Sequence, residues 1–179
     1  INRFMRTKHW MLKQLDQIES EVDTVVELGA GEGHLLSAIQ KRYPKLKCIG
    51  CDFIARPLDL DERIEWLSGD FMNRLESISL GARTVVLADL ILHHFEEEQL
   101  HRLKEAFSEV ACLLMVEPDR SPLSLCLGRC LLPFVGSVTR LDMIISIRAG
   151  FGRGELGQLF EKEIEEEHVW LGGRRVKLR

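Results

Sequence analysis

Five short β-rich runs alternate with longer stretches of helical periodicity through the first two thirds of this chain, and few architectures accommodate that order. The runs are Thr24 to Leu28, Lys47 to Cys51, Ile64 to Leu67, Thr84 to Ala88 and Cys112 to Val116. Between them Leu35, Leu36, Ile39 and Tyr43 recur at helical spacing, as do Leu100, Leu103, Ala106, Phe107 and Val110. Strand, helix, strand in succession is the signature of a βαβ crossover, and consecutive crossovers build a parallel sheet covered on both faces. With 179 residues, 45% of them apolar, the chain is the size of one domain, and its core is large enough to need no covalent staples.

After Glu117 and Pro118 the rhythm changes to helices and turns, which reads as an insertion over about 121–151 suited to a lid. It carries the apolar run Leu123 to Val135, then Leu141 to Ala149 with Leu141, Ile144, Ile145 and Arg148 on one helical face. A turn through Gly150, Gly152 and Gly154 follows and could act as a hinge. The last stretch, Glu163 to Val169 and Arg174 to Leu178, is split by Gly172-Gly173 and reads as an antiparallel hairpin at the sheet edge. The expected fold is therefore α/β: a doubly wound, mostly parallel seven-stranded sheet with helices on both faces and an antiparallel C-terminal hairpin, forming a single domain over 1–179.

A formal charge of −4 and a pI near 5.9 leave no broad basic surface to neutralise a run of phosphates, so nucleic acid is a poor partner. The basic cluster Arg174, Arg175, Lys177 and Arg179 fits a charged edge strand better than a nucleic-acid arm. Five cysteines, an odd number, lie in apolar runs, as buried free thiols do in a reducing compartment. Cys48 and Cys51 form a CxxC with no second pair at zinc spacing, so no metal is expected. Ile1 to Ser20 mixes arginines and lysines with apolar residues and does not read as a signal peptide, and Leu123 to Val135 is interrupted by Arg129 and Pro133. A cytoplasmic protein with no integral membrane segment is expected, with a homodimer as one candidate assembly.

The sharpest chemical signal is Val25-Val26-Glu27-Leu28-Gly29-Ala30-Gly31-Glu32-Gly33, a strand ending in a glycine-rich turn that opens a helix. Glycines let the backbone turn tightly and let a ligand approach main-chain atoms that a Cβ would shield. Two acids extend the pattern: Asp52, nineteen residues past Gly33 at the end of the second run, and Asp70 in Leu67-Ser68-Gly69-Asp70-Phe71-Met72. An acid in the first position suits ribose hydroxyls, and one in the second suits an amino group, with Phe71 as apolar cover; each could alternatively cap a helix.

On these residues the chain resembles the class I S-adenosylmethionine-dependent methyltransferases, closely over Thr24 to Pro118 and in outline to the terminal hairpin. Glu27, Gly29, Gly31 and Gly33 match the family's E/DxGxGxG turn, which contacts the methionyl part of the cofactor. The resemblance implies that Asp52, with Phe53 beside it, holds the ribose, that Asp70 and Phe71 meet adenine, and that Asp89 and Leu90 lie beside the methionine end. Leu87-Ala88-Asp89-Leu90-Ile91-Leu92-His93-His94-Phe95 is similar to the small-molecule, quinone-biosynthesis-like branch and lacks the Asn-Pro-Pro-Tyr pattern of nucleic-acid amino methyltransferases. It implies methylation of a small-molecule acceptor.

In that chemistry the cofactor carries the driving force, and a base helps only where the acceptor is a hydroxyl. His93 and His94 are the candidate bases. Arg140 and Arg148 are candidate contacts to an acidic acceptor, Leu131, Phe134 and Met143 candidate apolar ones, and Trp10 and Met11 could pack over the cofactor or join the core. Two other readings share the pattern. A nicotinamide-dependent oxidoreductase also places an acid after the second strand, but its GxGxxG spacing would put the third glycine where His34 stands. A non-catalytic binding protein could keep the fold without the reaction.

Overall fold

The computed structural model describes residues 6–73, 78, 80–131 and 137–179, with side chains for all of these except 130, 131 and 137–142. In chain order the elements are α1 (Thr7–Ile18), β1 (Thr24–Leu28), α2 (His34–Arg42), β2 (Lys47–Asp52), β3 (Glu65–Ser68), β4 (Thr84–Asp89), a 3₁₀ turn (Leu92–His94) and α3 (Glu97–Ala106). Then come β5 (Cys112–Pro118), α4 (Pro122–Leu131), α5 (Ser137–Ala149), α6 (Glu155–Phe160), β6 (Ile164–Trp170) and β7 (Gly173–Leu178). The seven strands form one sheet in the order β3-β2-β1-β4-β5-β7-β6. β1 pairs in parallel with β2 and β4, setting Val26 opposite Ile49 and Val86, while β7 runs antiparallel to β5 with Val176 opposite Met115. This is the doubly wound, mostly parallel fold that the alternation of runs predicts.

Burial on both faces explains why the central strands read as continuous apolar runs and not as alternating ones. Val25, Leu87 and Leu114 point to one face, where Met11, Leu15 and Ile18 of α1 and Leu35, Leu36 and Ile39 of α2 cover them. Val26, Val86 and Leu113 point to the other, under Leu103 of α3 with the adjoining Phe107, and Leu156 and Phe160 of α6. Within each helix the covering residues recur at three- and four-residue intervals, the spacing of one helical stripe. Trp10 and Met11 are buried in the first layer, so of the two sequence readings the core one holds: Trp10 donates from Nε1 to Glu166 of β6 at 3.0 Å. Cys48 belongs to one core layer and Cys51 to the other, because strand residues three apart face opposite ways. Burial pushes the thiols of Cys48, Cys51 and Cys112 up to about 12. Among the described residues no helix is long and apolar enough to cross a membrane.

Two expectations about the C-terminus need correction. β6, not β7, is the edge strand, and Arg174, Arg175 and Lys177 of β7 are buried. Arg174 reaches the carboxylates of Asp119 and Glu167 and Lys177 that of Glu165, while Arg175 lies over the rings of Trp10 and Trp170, so these basic residues belong to an internal strand and not to the edge. The hairpin turn is also one residue earlier than Gly172-Gly173: Trp170 pairs with Gly173, and the turn is Leu171-Gly172, with φ of 48° and 80°. Positive φ at both central positions matches the right-handed twist of the strands, but it suits asparagine far better than leucine at the first. Leu171 is 67% exposed and has little packing to lose. Leu171→Asn is expected to raise the unfolding free energy by about 1 kcal/mol, the order of the left-handed penalty it relieves. Urea denaturation checks this, and a lowered midpoint would show that the leucine packs usefully.

The glycine segment after α5 is tied down more firmly than a hinge would be. Phe151 donates its amide to the Pro118 carbonyl at 2.9 Å and accepts from the Arg120 amide at 3.0 Å, forming a one-residue parallel bridge with Asp119. Both ends of the α4–α5 insertion therefore meet at the end of β5.

Candidate functional site

From β1 the chain steps outward to β2 and β3, then returns to β4 on β1's other side. Such a reversal opens a crevice at the carboxyl ends of the strands, the usual ligand site of an open α/β sheet. The glycine-rich turn sits there. Gly29, Gly31 and Gly33 have φ of 64°, 55° and 70°, and the Gly29 and Ala30 amides bond to the Cys51 carbonyl at 2.8 and 3.1 Å, folding the turn against β2. A Cβ built on Gly31 would meet no protein atom within 4 Å. The Gly31 amide donates to Asp52 Oδ2 at 2.7 Å, and Asp52 Oδ1 accepts the Ile54 amide at 3.1 Å. Asp52 thus braces the turn while keeping lone pairs for a further donor.

Acids gather along this edge. Glu27, Asp52, Asp89 and Glu117 stand at or next to the carboxyl ends of β1, β2, β4 and β5, and Asp70 follows β3. Glu27 is buried and its Oε2 has no hydrogen-bond partner among the described residues. Burial first, then the charge of Asp89, holds its pKa well above the ordinary value. Asp89 is pushed up to about 6, mainly by burial, with the Thr7 hydroxyl at 2.9 Å opposing the shift and the charge of Glu117 adding to it. Asp70 accepts from the Met72 amide and Asn73 Nδ2, both at 3.0 Å, and so caps the short turn it precedes.

Beyond β4 the chain turns sharply at Leu90, which has a φ of 57° and donates its amide to the Val116 carbonyl at 2.7 Å. The Glu117 carboxylate, fully buried, then accepts the amides of Ile91 (3.0 Å), Leu92 (2.8 Å) and His93 (3.3 Å). It also lies 2.7 Å from His93 Nδ1. A carboxylate only accepts, so Nδ1 carries a proton, and in the neutral ring the lone pair is on Nε2. The His93 side chain is only 4% exposed, and α5 packs against this turn. His94 is exposed, with its ring centroid 4.0 Å from that of His93; burial, and then His93, lower its pKa.

Of the sequence candidates, the structure brings Glu27, the three glycines, Asp52, Asp89, Leu90 and His93 to one crevice. Phe53 lies at the rim, 68% exposed. Phe71 is a correction: 2% exposed and edge-on to Phe95 at 5.6 Å, it belongs to the core and offers a ligand no surface. Arg148 is exposed on α5 and Met143 half-buried, whereas the side chains of Arg140 and Leu131, and all of Phe134, lie outside the described residues. Sequence reasoning missed Glu117 and Thr7. Glu117 carried a detectable signal, as the acid ending the fifth run beside that of the fourth.

A family model described as an O-methyltransferase domain matches residues 5–118, the segment that holds this crevice. The chain belongs to the O-methyltransferase family. It is similar to the myricetin O-methyltransferase of Catharanthus roseus, 26% identical over 91 residues, which are 50% of this chain and 25% of that one. It is likewise similar to the norreticuline-7-O-methyltransferase of Papaver somniferum, 29% identical over 117 residues, 62% of this chain and 31% of that one. The chain thus spans about a quarter to a third of these relatives. In fold it resembles the plantazolicin methyltransferase BpumL, solved with a desmethylPZN analog and SAH, with a TM-score of 0.74 at 14% identity over 99% of this chain and 83% of that one.

Proposed function

We propose that this O-methyltransferase-family chain binds S-adenosylmethionine in the crevice and methylates a hydroxyl of a small-molecule acceptor. The acid-lined strand edge carries this reading. A cofactor with a sulfonium and an ammonium gains from carboxylates at its methionine end, whereas a dinucleotide would set two phosphates against them. The residues fit the group: Gly31 leaves room that any Cβ would fill, and the orphaned Glu27 Oε2 awaits a donor. Glu27, the glycine turn and Asp89 would hold the methionine end, Asp52 the ribose hydroxyls, and Asp70 with Phe53 the adenine side.

When bound, the cofactor supplies an activated methyl, so the protein needs chiefly to orient the acceptor and exclude water. Glu117 fixes the His93 turn through three amides and holds the ring in the tautomer whose Nε2 accepts a proton. His93 is then the base that takes the proton of the acceptor hydroxyl, with His94 beside it. Because α5 packs against that turn, this helix stands on the acceptor side of the pocket. Free buried thiols support a cytoplasmic setting.

Asp52→Ala is expected to weaken S-adenosylmethionine binding by about 1–3 kcal/mol, from lost bonds to the ribose and a loosened Gly31 amide. Asp52→Asn, which keeps an acceptor for Gly31, should lose less. Calorimetric titration of the three proteins reads this order, and equal affinity in all three would remove Asp52 from the site.

A further inference from the structure

The first turn of α1 reaches the same crevice from outside the sheet. Thr7 is buried and its hydroxyl donates to Asp89 Oδ2 at 2.9 Å across 82 residues of chain. One residue on, Lys8 Nζ donates to the carbonyl of His34, the first residue of the helix that the glycine turn opens. This turn of α1 therefore bridges the two segments that flank the crevice, the end of β4 and the start of α2. The Trp10, Met11, Leu15 and Ile18 stripe anchors the rest of α1 in the core, so Thr7 is presented from a fixed support.

Asp89 sits in acidic company. Glu117 faces it from β5 and raises its pKa, Glu27 couples to it from β1, and Lys8 offsets part of the charge on Glu27. His93 lies on the turn that Glu117 caps. In such surroundings a carboxylate is poised to take up a proton, and a proton cancels its value as a partner for a cationic ligand. A hydroxyl donor favours the ionised form, because a carboxylate accepts that bond better than a carboxylic acid does.

We infer that Thr7 is a positioning residue of the cofactor site, holding the Asp89 carboxylate in place and ionised for the positively charged end of the cofactor. The inference rests on the cofactor reading proposed above, and it brings into the site a helix that precedes the glycine turn. It gives a direction to the pH dependence. Asp89 has a raised pKa, so its contribution to affinity should be present at higher pH and decline as pH falls through about 6. Glu27, also raised, declines in the same direction. Removing the Thr7 donor should move the decline to higher pH while leaving its shape.

The test is calorimetric titration of S-adenosylmethionine into the wild type, Thr7→Val, Thr7→Ser, Asp89→Asn and the Thr7→Val/Asp89→Asn double variant between pH 5.5 and 8. Thr7→Val should bind about tenfold more weakly at pH 7, the order of a lost bond to a charged group, with its decline shifted upward in pH. Thr7→Ser should restore both. In the Asp89→Asn background, Thr7→Val should add little, because the group through which it acts is gone. Thr7→Ala replaces the valine variant should that one not fold. Wild-type binding with an unchanged Thr7→Val profile overturns the role of Thr7 alone, as does an equal loss in the Asp89→Asn background. Failure of the wild type to bind overturns the cofactor reading itself.

Discussion

Arg174→Met is expected to lower the unfolding free energy by about 3–5 kcal/mol, the range for leaving buried charges without their partner. Arg174 is 6% exposed on β7. Its guanidinium bonds to Asp119, to Glu167 Oε1 at 2.6 Å and to the Phe151 carbonyl at 3.0 Å. Asp119 in turn accepts the hydroxyls of Ser121 (2.5 Å) and Ser124 (2.6 Å) at the start of α4, and Glu167 accepts the Gly154 amide at 3.0 Å before α6. One side chain thus clasps both ends of the insertion to the hairpin. Lysine should not rescue it, since a single ammonium cannot span two carboxylates and a carbonyl in a planar fork. The pH dependence follows from Asp119. Burial would raise its pKa, but the bonds from Ser121, Ser124 and Arg174 outweigh that and hold it below its ordinary 3.8. A carboxyl lowered in this way contributes stability above 3.8 that is lost as pH falls through its folded value. The wild type and Arg174→Met should therefore differ most at neutral pH, with the difference beginning to shrink only as pH falls below 3.8. Urea denaturation at pH 7 and pH 3.5 measures both, and a difference under about 1 kcal/mol at pH 7, the worth of a surface ion pair, would show that the clasp carries little.

Gly31→Val should all but abolish cofactor binding, with a loss of about a hundredfold or more, near 3 kcal/mol. Its φ of 55° is hostile to a β-branched residue, and the new side chain would extend into space that no protein atom occupies. Backbone cost and ligand exclusion can be separated, because Gly154 has a similar φ of 76° and is equally open, but lies away from the crevice. Gly154→Val should pay a comparable price in stability and leave affinity intact. Equal binding losses in both variants would mean that general destabilisation, not occupancy of the turn, is responsible.

Much of the fold was legible because the signals were local. Each β-rich run is a strand whose ends differ from the expected ones by no more than two residues, and the apolar stripes Leu35-Leu36-Ile39 and Leu100-Leu103 lie on helices on opposite faces. Where reading failed, the deciding contacts came from far along the chain. The sequence places Arg174 on a charged edge strand, whereas β7 lies between β5 and β6 and Arg174 bonds to Asp119, Glu167 and the Phe151 carbonyl. The Gly172-Gly173 pair drew the turn one place too late because Leu171 tolerates a left-handed conformation that sequence preference argues against. Phe71 was read as ligand cover from its place after Asp70, yet the cap that Asp70 makes folds it under the sheet edge against Phe95. The glycine turn and Asp52 were legible because their spacing is set by a single βαβ unit. Glu117 reaches the 91–93 amides only through the pairing of β4 with β5, and Thr7 reaches Asp89 only through the docking of α1.

Titration of the wild-type protein with S-adenosylmethionine and, separately, with a nicotinamide dinucleotide tests the site most directly. One S-adenosylmethionine should bind per chain, with affinity lost in Gly31→Val and kept in Gly154→Val, while the dinucleotide binds far more weakly. Tighter binding of the dinucleotide, or S-adenosylmethionine affinity indifferent to Gly31→Val, would contradict the assignment of the acid-lined crevice to a sulfonium cofactor.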